Sequence, residues 1–441
     1  MGFIEGEARG QGTLFPTSLE ELIPQDHFCR VIEAFVNQLD MQKLGFLRAE
    51  AAETGRPGYN PRDLLKLYLY GYLQQIRSSR RLENECRRNI ELMWLLGRLC
   101  PDHKSIAEFR RLHRRAVSEA GAELVKLARS VGLIRGEWVA IDGSKFRAAS
   151  SVSSVHERLQ WERYLEALDT ADGEDEVRVE NGAVALALEK LRQHAEPEVG
   201  FMKTSQGMVP AYNVQTAVDA KHGLIVAQEV SDEPADNRRL LPMAEAAQAA
   251  LEGTAGPLHV IADAGYSNGE QAARCESQGI LPHIPAKRGV NTRGSQLFDR
   301  SAFRYEEQSN TMLCPAGHRL RSDGRSGRAL AYVGRSEVCG ACPLKLQCTT
   351  SRRRVVHRHV NEGALERMQQ RATPAAMALR RCTVEYPFAI LKYRIFGHPR
   401  FLVRGLEGAR CEIALAVMVY NLKRMVKLLG GAALRNALQT T

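Results

Sequence analysis

The chain has 441 residues and lacks any apolar run long enough to cross a membrane, which takes about 18 consecutive residues. Its nearest candidate, residues 413–420, has only the length of a buried helical segment. The first ten residues also lack the basic and then apolar pattern of a secretory signal. We therefore expect a cytoplasmic protein that has no membrane partner.

Cysteine is too sparse for a disulfide-stabilised scaffold, with ten in the whole chain. Four of them, Cys314, Cys339, Cys342 and Cys348, nevertheless fall within one polar segment, residues 291–360. Clustered cysteines in a reducing compartment indicate metal ligands, and four thiolates can form a closed tetrahedral Zn²⁺ site. The alternative interpretation is four reduced cysteines in a loop-rich insertion.

The first 350 residues lack a basic excess, since they hold 44 Lys and Arg against 46 Asp and Glu, a net charge of −2. The last 91 residues hold 17 Lys and Arg against 5 Asp and Glu, and they account for the net charge of +10. A basic block of this kind indicates a polyanionic partner, nucleic acid before a membrane surface.

Residues 1–135 have the pattern of a helical region. Asn60 and Pro61 form a helix start, and residues 105–108 have the sequence of a capping box that begins at Ser105. Residues 76–115 are rich in arginine, and several short helices with basic exposed faces resemble a helix-turn-helix type of DNA-binding module. The alternative interpretation is a solvated helical bundle, because charged helix faces are common. The candidate DNA contacts are Arg80, Arg81, Arg87, Arg88, Arg110 and Arg111.

From residue 136 apolar strands alternate with helices, which predicts an α/β fold. One strand is expected to end at Asp142 before a turn at Gly143 and Ser144, and another to end at Asp263. The segments around 212–219 and 224–231 predict a hairpin, and residues 151–200 predict a helical insertion with an acidic loop. From about residue 361 to the end the chain is predicted to be helical.

Acids that end neighbouring strands converge at one edge of a sheet, where α/β proteins bind ligands. Asp142 and Asp263 occupy such positions, and Glu385 in the basic C-terminal region is a third candidate. Clustered carboxylates are stable only beside cations, and oxygen ligands suit Mg²⁺ or Mn²⁺. Two such ions can clamp the attacking and leaving oxygens of a phosphodiester. Taken singly, the aspartates could equally be turn residues and the glutamate an exposed helical residue.

These segments, taken in order, resemble a bacterial insertion-sequence transposase of the DDE class. The segments LEELIPQDHFCRVI, GRPGYNPRDLLKLYLYGYL and PDHKSIAEFR resemble its helical DNA-binding region, and AIDGSKFRA, IADAGYSN and VEYPFAILK resemble its three catalytic segments. The resemblance implies an RNase H-like core, a mixed sheet flanked by helices. It places a helical DNA-binding region in 1–135, the core in 136–290 and 361–441, and a small Cys-rich inserted subdomain in 291–360.

The resemblance also implies roles for particular residues. Asp142, Asp263 and Glu385 match the metal-binding triad, and Arg381 and Lys392 match the phosphate-binding cations of the family's tail signature. The sequence departs from the family where Ala378 replaces the Tyr of that signature, and where Glu196-Pro197-Glu198 replaces an Asp-Pro-Asp or Asp-Pro-Glu motif, which leaves the role of Glu196 open. Pro387 is expected to kink the helix or to begin it.

The implied activity is cleavage of one DNA strand at the ends of the element, dependent on Mg²⁺ or Mn²⁺, followed by attack of the freed 3′-hydroxyl on target DNA. The implied partners are the terminal inverted repeats and target DNA, bound by a homodimer or a larger assembly. Two other interpretations stay open from the sequence: a nuclease of the same fold that does not transfer strands, and a DNA-binding regulator that has no catalytic activity.

Overall fold

A computed structural model of the chain describes residues 18–50, 58–171, 181–253, 256–286, 297–326 and 329–440. Two predictions, the missing signal at the N-terminus and the acidic loop near residue 173, lie outside these residues. The chain divides into two compact units, one of residues 1–234, 245–256 and 379–441, and one of residues 235–244 and 257–378. The division at residues 135, 290 and 360 stays a prediction. None of the described helices is long and apolar enough to cross a membrane.

The predicted helical N-terminal region is confirmed. The helices described before residue 136 are α1 (Leu19–Leu22), α2 (Phe28–Gln38), α3 (Pro61–Leu73), α4 (Ser79–Arg88), α5 (Ile90–Leu95), α6 (His103–Leu112) and α7 (Arg114–Ser130).

Two helix starts in this region test the caps that were predicted from the local sequence. Asn60 caps α3 as predicted, because its side chain accepts a hydrogen bond from the backbone N–H of Arg62 at 2.9 Å. The predicted capping box at Ser105 is wrong, since α6 begins two residues earlier. Asp102 is the cap there, and its carboxylate accepts from the N–H groups of Lys104 and Ser105. An aspartate competes well with serine for this position.

The first unit continues with an antiparallel sheet and two helices. They are β1 (Trp138–Arg147), α8 (Val152–Ala171), α9 (Asn181–Gln193), β2 (Gly200–Thr204), β3 (Gly207–Asp219) and β4 (Ile225–Ser231). The long strand β3 pairs with β1, β2 and β4, and is buried along its whole length from residue 209. The predicted hairpin is therefore present as β3 and β4, and α8 and α9 occupy the predicted helical insertion.

Strand β1 does not end at Asp142, contrary to the sequence prediction. Its pairing with β3 continues from Val139, opposite Asp219, to Arg147, opposite Ala211. Gly143 and Ser144 are thus strand residues and not a turn. Asp142 lies in the middle of β1, opposite Thr216, within the continuous antiparallel pairing of β1 with β3.

The second unit contains a parallel strand pair and a separate antiparallel sheet. Its elements, together with α10 (Leu240–Ala250), which enters both units, are β5 (Leu258–Ile261), α11 (Gly269–Ser277), β6 (Ile280–His283), β7 (Arg304–Glu306), β8 (Thr311–Leu313), β9 (Arg319–Ser326), β10 (Ala329–Val333), α12 (Ser336–Gly340), α13 (Lys345–Cys348), β11 (Val355–His359) and α14 (Glu362–Arg371). Strands β5 and β6 are parallel, and β7–β11 form an antiparallel sheet in the order β11-β10-β9-β8-β7. The predicted mixed α/β fold requires both parallel and antiparallel strand pairs, with helices between the strands along the chain.

The C-terminal region is helical, as predicted, and supplies the centre of the first unit. It comprises α15 (Pro374–Ala389), a π-helical turn (Ile390–Ile395), α16 (Leu406–Leu429) and α17 (Gly431–Thr440). Helix α16 is buried from residue 411 to residue 422 and packs on α3, α7 and β4. Pro387 does not begin α15, since this helix starts at Pro374 and passes through it. The wider π turn follows three residues later.

The motif Glu196-Pro197-Glu198, whose role the sequence left open, holds the start of α16. Glu196 is fully buried and accepts hydrogen bonds from the N–H groups of Ser150 at 2.6 Å and Gly405 at 3.1 Å. Glu198 accepts from the N–H of Leu406 and from the hydroxyl of Tyr212. Two carboxylates therefore satisfy the N-terminal N–H groups of a buried helix, where the helix dipole also favours negative charge.

Candidate active site

Asp142 is held by a cation from the C-terminal helices of the first unit. Nη2 of Arg380, on α15, donates to Oδ1 of Asp142 at 3.0 Å. Both side chains are mostly buried, with 16% of Arg380 and 22% of Asp142 exposed. A charge-assisted hydrogen bond in such a sheltered place is stronger than one at the surface. Sequence reasoning missed Arg380, because the family signature pointed to its neighbour Arg381.

Lys392, on the π turn, is the second cation near Asp142. Its ammonium lies 5.5 Å from the centre of the Phe146 ring. Burial lowers the pKa of Lys392 below its ordinary value, and the Asp142 carboxylate opposes that shift. The structure thus brings together Asp142 and Lys392, two residues predicted from the sequence, and adds Arg380. An acid with two cations beside it is suited to a site that handles phosphate groups.

Glu385 and Arg381 lie on the same helix, α15, and both are exposed to solvent. They are four residues apart and therefore lie on one face of the helix, as predicted. Exposure leaves both side chains accessible to an ion or to DNA.

Asp263 lies in the second unit, immediately after β5. Its Oδ1 accepts a hydrogen bond from the N–H of Gly265 at 2.7 Å and begins a short 3₁₀ turn. A side chain at Gly265 would not fit, since its Cβ would lie 2.8 Å from that oxygen and 4.0 Å from Oδ2 of Asp236. Asp236 is therefore a second acid near Asp263 that sequence reasoning did not identify. Nothing in the sequence of residues 231–237 indicates that Asp236 would lie near Asp263.

Among the described residues, no three His, Cys, Asp or Glu side chains are arranged so that they could hold one metal ion. This applies to the four clustered cysteines, which all lie in the second unit.

The four clustered cysteines line one cavity of about 400 Å³ in the second unit, together with His318. All ten cysteines of the chain are described and all are free thiols. A tight turn presents Cys314, whose sulfur accepts from the N–H of His318 at 3.3 Å and whose carbonyl accepts from Gly317 at 2.9 Å. Burial raises the pKa of the Cys348 thiol; Arg354 lowers it, and the three other clustered cysteines raise it further.

The six arginines predicted to contact DNA differ in their surroundings. Arg80 and Arg81 are exposed on α4. The guanidinium of Arg110 instead lies over the ring of Tyr68, 5.3 Å from its centre, and donates weakly to the carbonyl of Arg77, so its contacts are those of a packing residue. The remaining three form salt bridges on their own helices, Arg87 with Glu83, Arg88 with Glu85 and Arg111 with Glu108.

Comparisons with known proteins identify the family. A sequence model described as "Transposase DDE domain" matches residues 139–422, and one described as "Transposase domain (DUF772)" matches residues 17–112. A search of curated proteins finds no match. Among solved structures, the cryo-EM structure of a piggyBac transposase synaptic complex with hairpin DNA is similar at 8% identity, over 93% of this chain and 78% of that chain, with a TM-score of 0.33. Because the first model matches well over half of the chain, the protein belongs to the DDE transposase family and is an enzyme that cleaves and transfers DNA strands.

Proposed function

We propose that the protein is the transposase of a bacterial insertion sequence, which acts in the cytoplasm on the element's terminal repeats and on target DNA. The observation that supports this most is the position of Asp142, in the middle of the partly buried strand β1 and beside Arg380 and Lys392. A dimer or a larger assembly on DNA is part of the proposal, because two element ends have to be joined to one target.

Asp142, Asp263 and Glu385 are the residues that would hold Mg²⁺ or Mn²⁺. Their donor chemistry fits, since each supplies carboxylate oxygens and none of the three is fully buried. When bound, such ions lower the pKa of a water nucleophile and stabilise the leaving oxygen of a phosphodiester.

The protein's own cations have a separate task in this proposal. Arg380 keeps the Asp142 carboxylate in one orientation through its hydrogen bond. Lys392, which burial has partly stripped of water, offers its ammonium to a phosphate oxygen near that acid. In phosphoryl transfer most of the catalysis comes from such positioning and charge compensation.

The test replaces Asp142 by Asn, which keeps the shape of the side chain and removes its charge. We expect Asp142→Asn and Asp263→Asn to lower the rate of DNA strand cleavage in Mg²⁺ by at least about 100-fold, because several kcal/mol of metal-derived stabilisation is lost. DNA affinity measured without divalent ions should stay within a factor of two or so of the wild type, on the order of 0.4 kcal/mol.

Asp40→Asn, at an exposed position of the N-terminal region, is the matched control and should cleave at the normal rate. Normal cleavage by Asp142→Asn would contradict the proposal. Supplying pre-cut element ends separates transposition from the nuclease alternative, because only a transposase joins them to a target duplex. If the wild type binds DNA but does not cleave it in Mg²⁺ or in Mn²⁺, the alternative of a DNA-binding regulator that has no catalytic activity would be favoured.

We also propose that the four clustered cysteines bind a structural Zn²⁺. Support comes from their shared cavity and from the small size of the core they adjoin, which consists of Phe303, Met312, Leu320, Tyr332 and Val356. A core of this size gains considerably from a metal cross-link. The thiols line one cavity, but no three of them are placed so that they could hold one ion in the described structure, so binding would require these side chains to rearrange.

Elemental analysis of the purified chain tests the zinc proposal. We expect about one zinc per chain, the stoichiometry of a Cys₄ site. Cys342→Ser should lower that content and make residues 298–359 sensitive to proteolysis, whereas Cys382→Ser, at an exposed cysteine outside the cluster, should not change it. A wild-type chain that is intact, folded and free of zinc would refute the proposal.

A further inference from the structure

Two adjoining grooves of the first unit are lined by cations and by no carboxylate. Arg394, Lys423, Arg424 and Lys427 line the first groove. The second shares Arg424 and Lys427 with the first and adds Lys221. Together they form one continuous surface, the basic groove, defined by these five residues. None of them was among the candidate DNA contacts predicted from the sequence.

The basic groove is built on two elements that the core holds in place. Helix α16 is buried up to residue 422, and its last turns then emerge with Lys423 and Lys427 exposed on one face, four residues apart. Arg394 is exposed on the π turn, and its carbonyl accepts a hydrogen bond from Nε2 of Gln75 at 3.1 Å. The cations therefore have fixed spacing before any ligand arrives, which reduces the entropic cost of binding.

An aromatic side chain lies between the cations. Nε of Arg424 donates to the carbonyl of His222 at 2.7 Å, and its guanidinium lies 5.7 Å from the centre of the Tyr386 ring. Tyr386 is 48% exposed although it is large and apolar over most of its surface. An exposed ring among cations is a common feature of nucleic-acid grooves, where the ring packs on a sugar or a base.

Cations gathered without acids repel each other, and two lysines four residues apart on a helix destabilise it slightly. Arg87 and Arg88 of α4 and Arg111 of α6 are different, because Glu83, Glu85 and Glu108 offset their charge. Because no described carboxylate lines the basic groove, its positive charge is a cost to the folded chain that an anionic ligand would reduce.

We propose that the basic groove binds the phosphate backbone of duplex DNA and guides it past Glu385, the residue that precedes Tyr386 in α15. The proposal rests on the proposed function, which makes DNA the substrate. Charge complementarity and the exposed ring of Tyr386 favour DNA as the ligand.

The experiment measures the affinity of the full chain for a random-sequence DNA duplex over a range of salt concentrations, with EDTA present. Log affinity falls as log salt concentration rises, and each lost phosphate contact makes this slope shallower by about 0.9. Throughout this experiment a lower slope means a slope of smaller magnitude. We therefore expect Lys423→Ala/Lys427→Ala to lower the slope by about 1.8 and to weaken binding most at low salt.

The matched control is Lys43→Ala/Lys126→Ala, which removes the same charge from exposed lysines of another groove. That groove also contains Asp40, Glu119 and Glu123, so its charges are balanced. The control should keep the wild-type slope. An unchanged slope in Lys423→Ala/Lys427→Ala, an equal decrease in the control, or displacement of DNA by poly-glutamate as readily as by competing DNA would each overturn the proposal.

Because this measurement excludes divalent ions, it is independent of the metal assignment. A lower slope in the groove variant together with normal cleavage by Asp142→Asn would support the groove and refute the triad. An unchanged slope in the groove variant together with loss of cleavage in Asp142→Asn would refute the groove and support the triad.

Discussion

Arg380 and Arg381 are neighbours in the sequence but have different surroundings in the structure. Arg380 points inward and donates to Asp142, whereas Arg381 is exposed on α15 one residue further along. The spacing of the family's signature selects Arg381, and the structure adds Arg380 as the residue in contact with the acid. Successive helical residues are separated by about 100°, so neighbouring side chains necessarily leave the helix in different directions.

This difference leads to a prediction about the two arginines. Arg380→Ala should lower the single-turnover rate of DNA strand cleavage about 30-fold, because loss of one partner of a sheltered charge pair costs about 2 kcal/mol or more. Arg381→Ala removes the same charge from the same helix and should change the cleavage rate much less, with its main effect on DNA affinity. If Arg381→Ala lowers the rate as much as Arg380→Ala, the contact with Asp142 does not matter for catalysis.

At the scale of helices and strands, local signals predicted the structure where local contacts determine it. Asn60 and Pro61 marked the start of α3 correctly, since a cap needs only the next three residues. Strand β1 shows where such signals end. Gly143 and Ser144 have the composition of a turn, but pairing with β3, some 70 positions away, keeps them extended up to Arg147.

The candidate site shows the same contrast between what local sequence patterns predict and what long-range contacts decide. The sequence named Asp142 and Lys392 as members of one site only through the spacing of a known family, and the structure has the Asp142 carboxylate acting on the Lys392 ammonium. Arg380 and Asp236 could not be found, because each comes near its acid only when segments far apart in the chain are brought together by the fold. Of the two outcomes predicted for Pro387, a helix start is wrong, since α15 begins at Pro374 and passes through Pro387.

At the scale of the whole molecule, one buried carboxylate joins the two regions that match separate family models. Glu412, on α16, accepts hydrogen bonds from the Tyr72 hydroxyl at 3.1 Å and from Arg77 at 2.9 Å, both in the DUF772 region. Its other oxygen accepts from the N–H groups of Leu402 and Val403, each at 2.7 Å. The N-terminal helices are therefore part of the first unit and not an appended module.

Because Glu412 is fully buried, its loss should destabilise the first unit strongly. We expect Glu412→Gln to lower the free energy of unfolding by about 3 kcal/mol, since it leaves the largely buried Arg77 without its counter-charge. Urea unfolding followed by tryptophan fluorescence measures this selectively. The reason is that all three tryptophans of the chain lie in the first unit: Trp94, Trp138 and Trp161.

Glu407→Gln is the control, because Glu407 is an exposed residue of the same helix that pairs only with Arg410 in the described structure, and surface pairs contribute little. Its unfolding curve should match that of the wild type. The pair itself is tested by Glu412→Leu/Arg77→Met, which removes both charges and should cost less than the two single changes added together, because neither charge is then buried alone. Strictly additive effects would mean that Glu412 and Arg77 stabilise the unit independently, and that the carboxylate does not couple the N-terminal helices to the catalytic core through this ion pair.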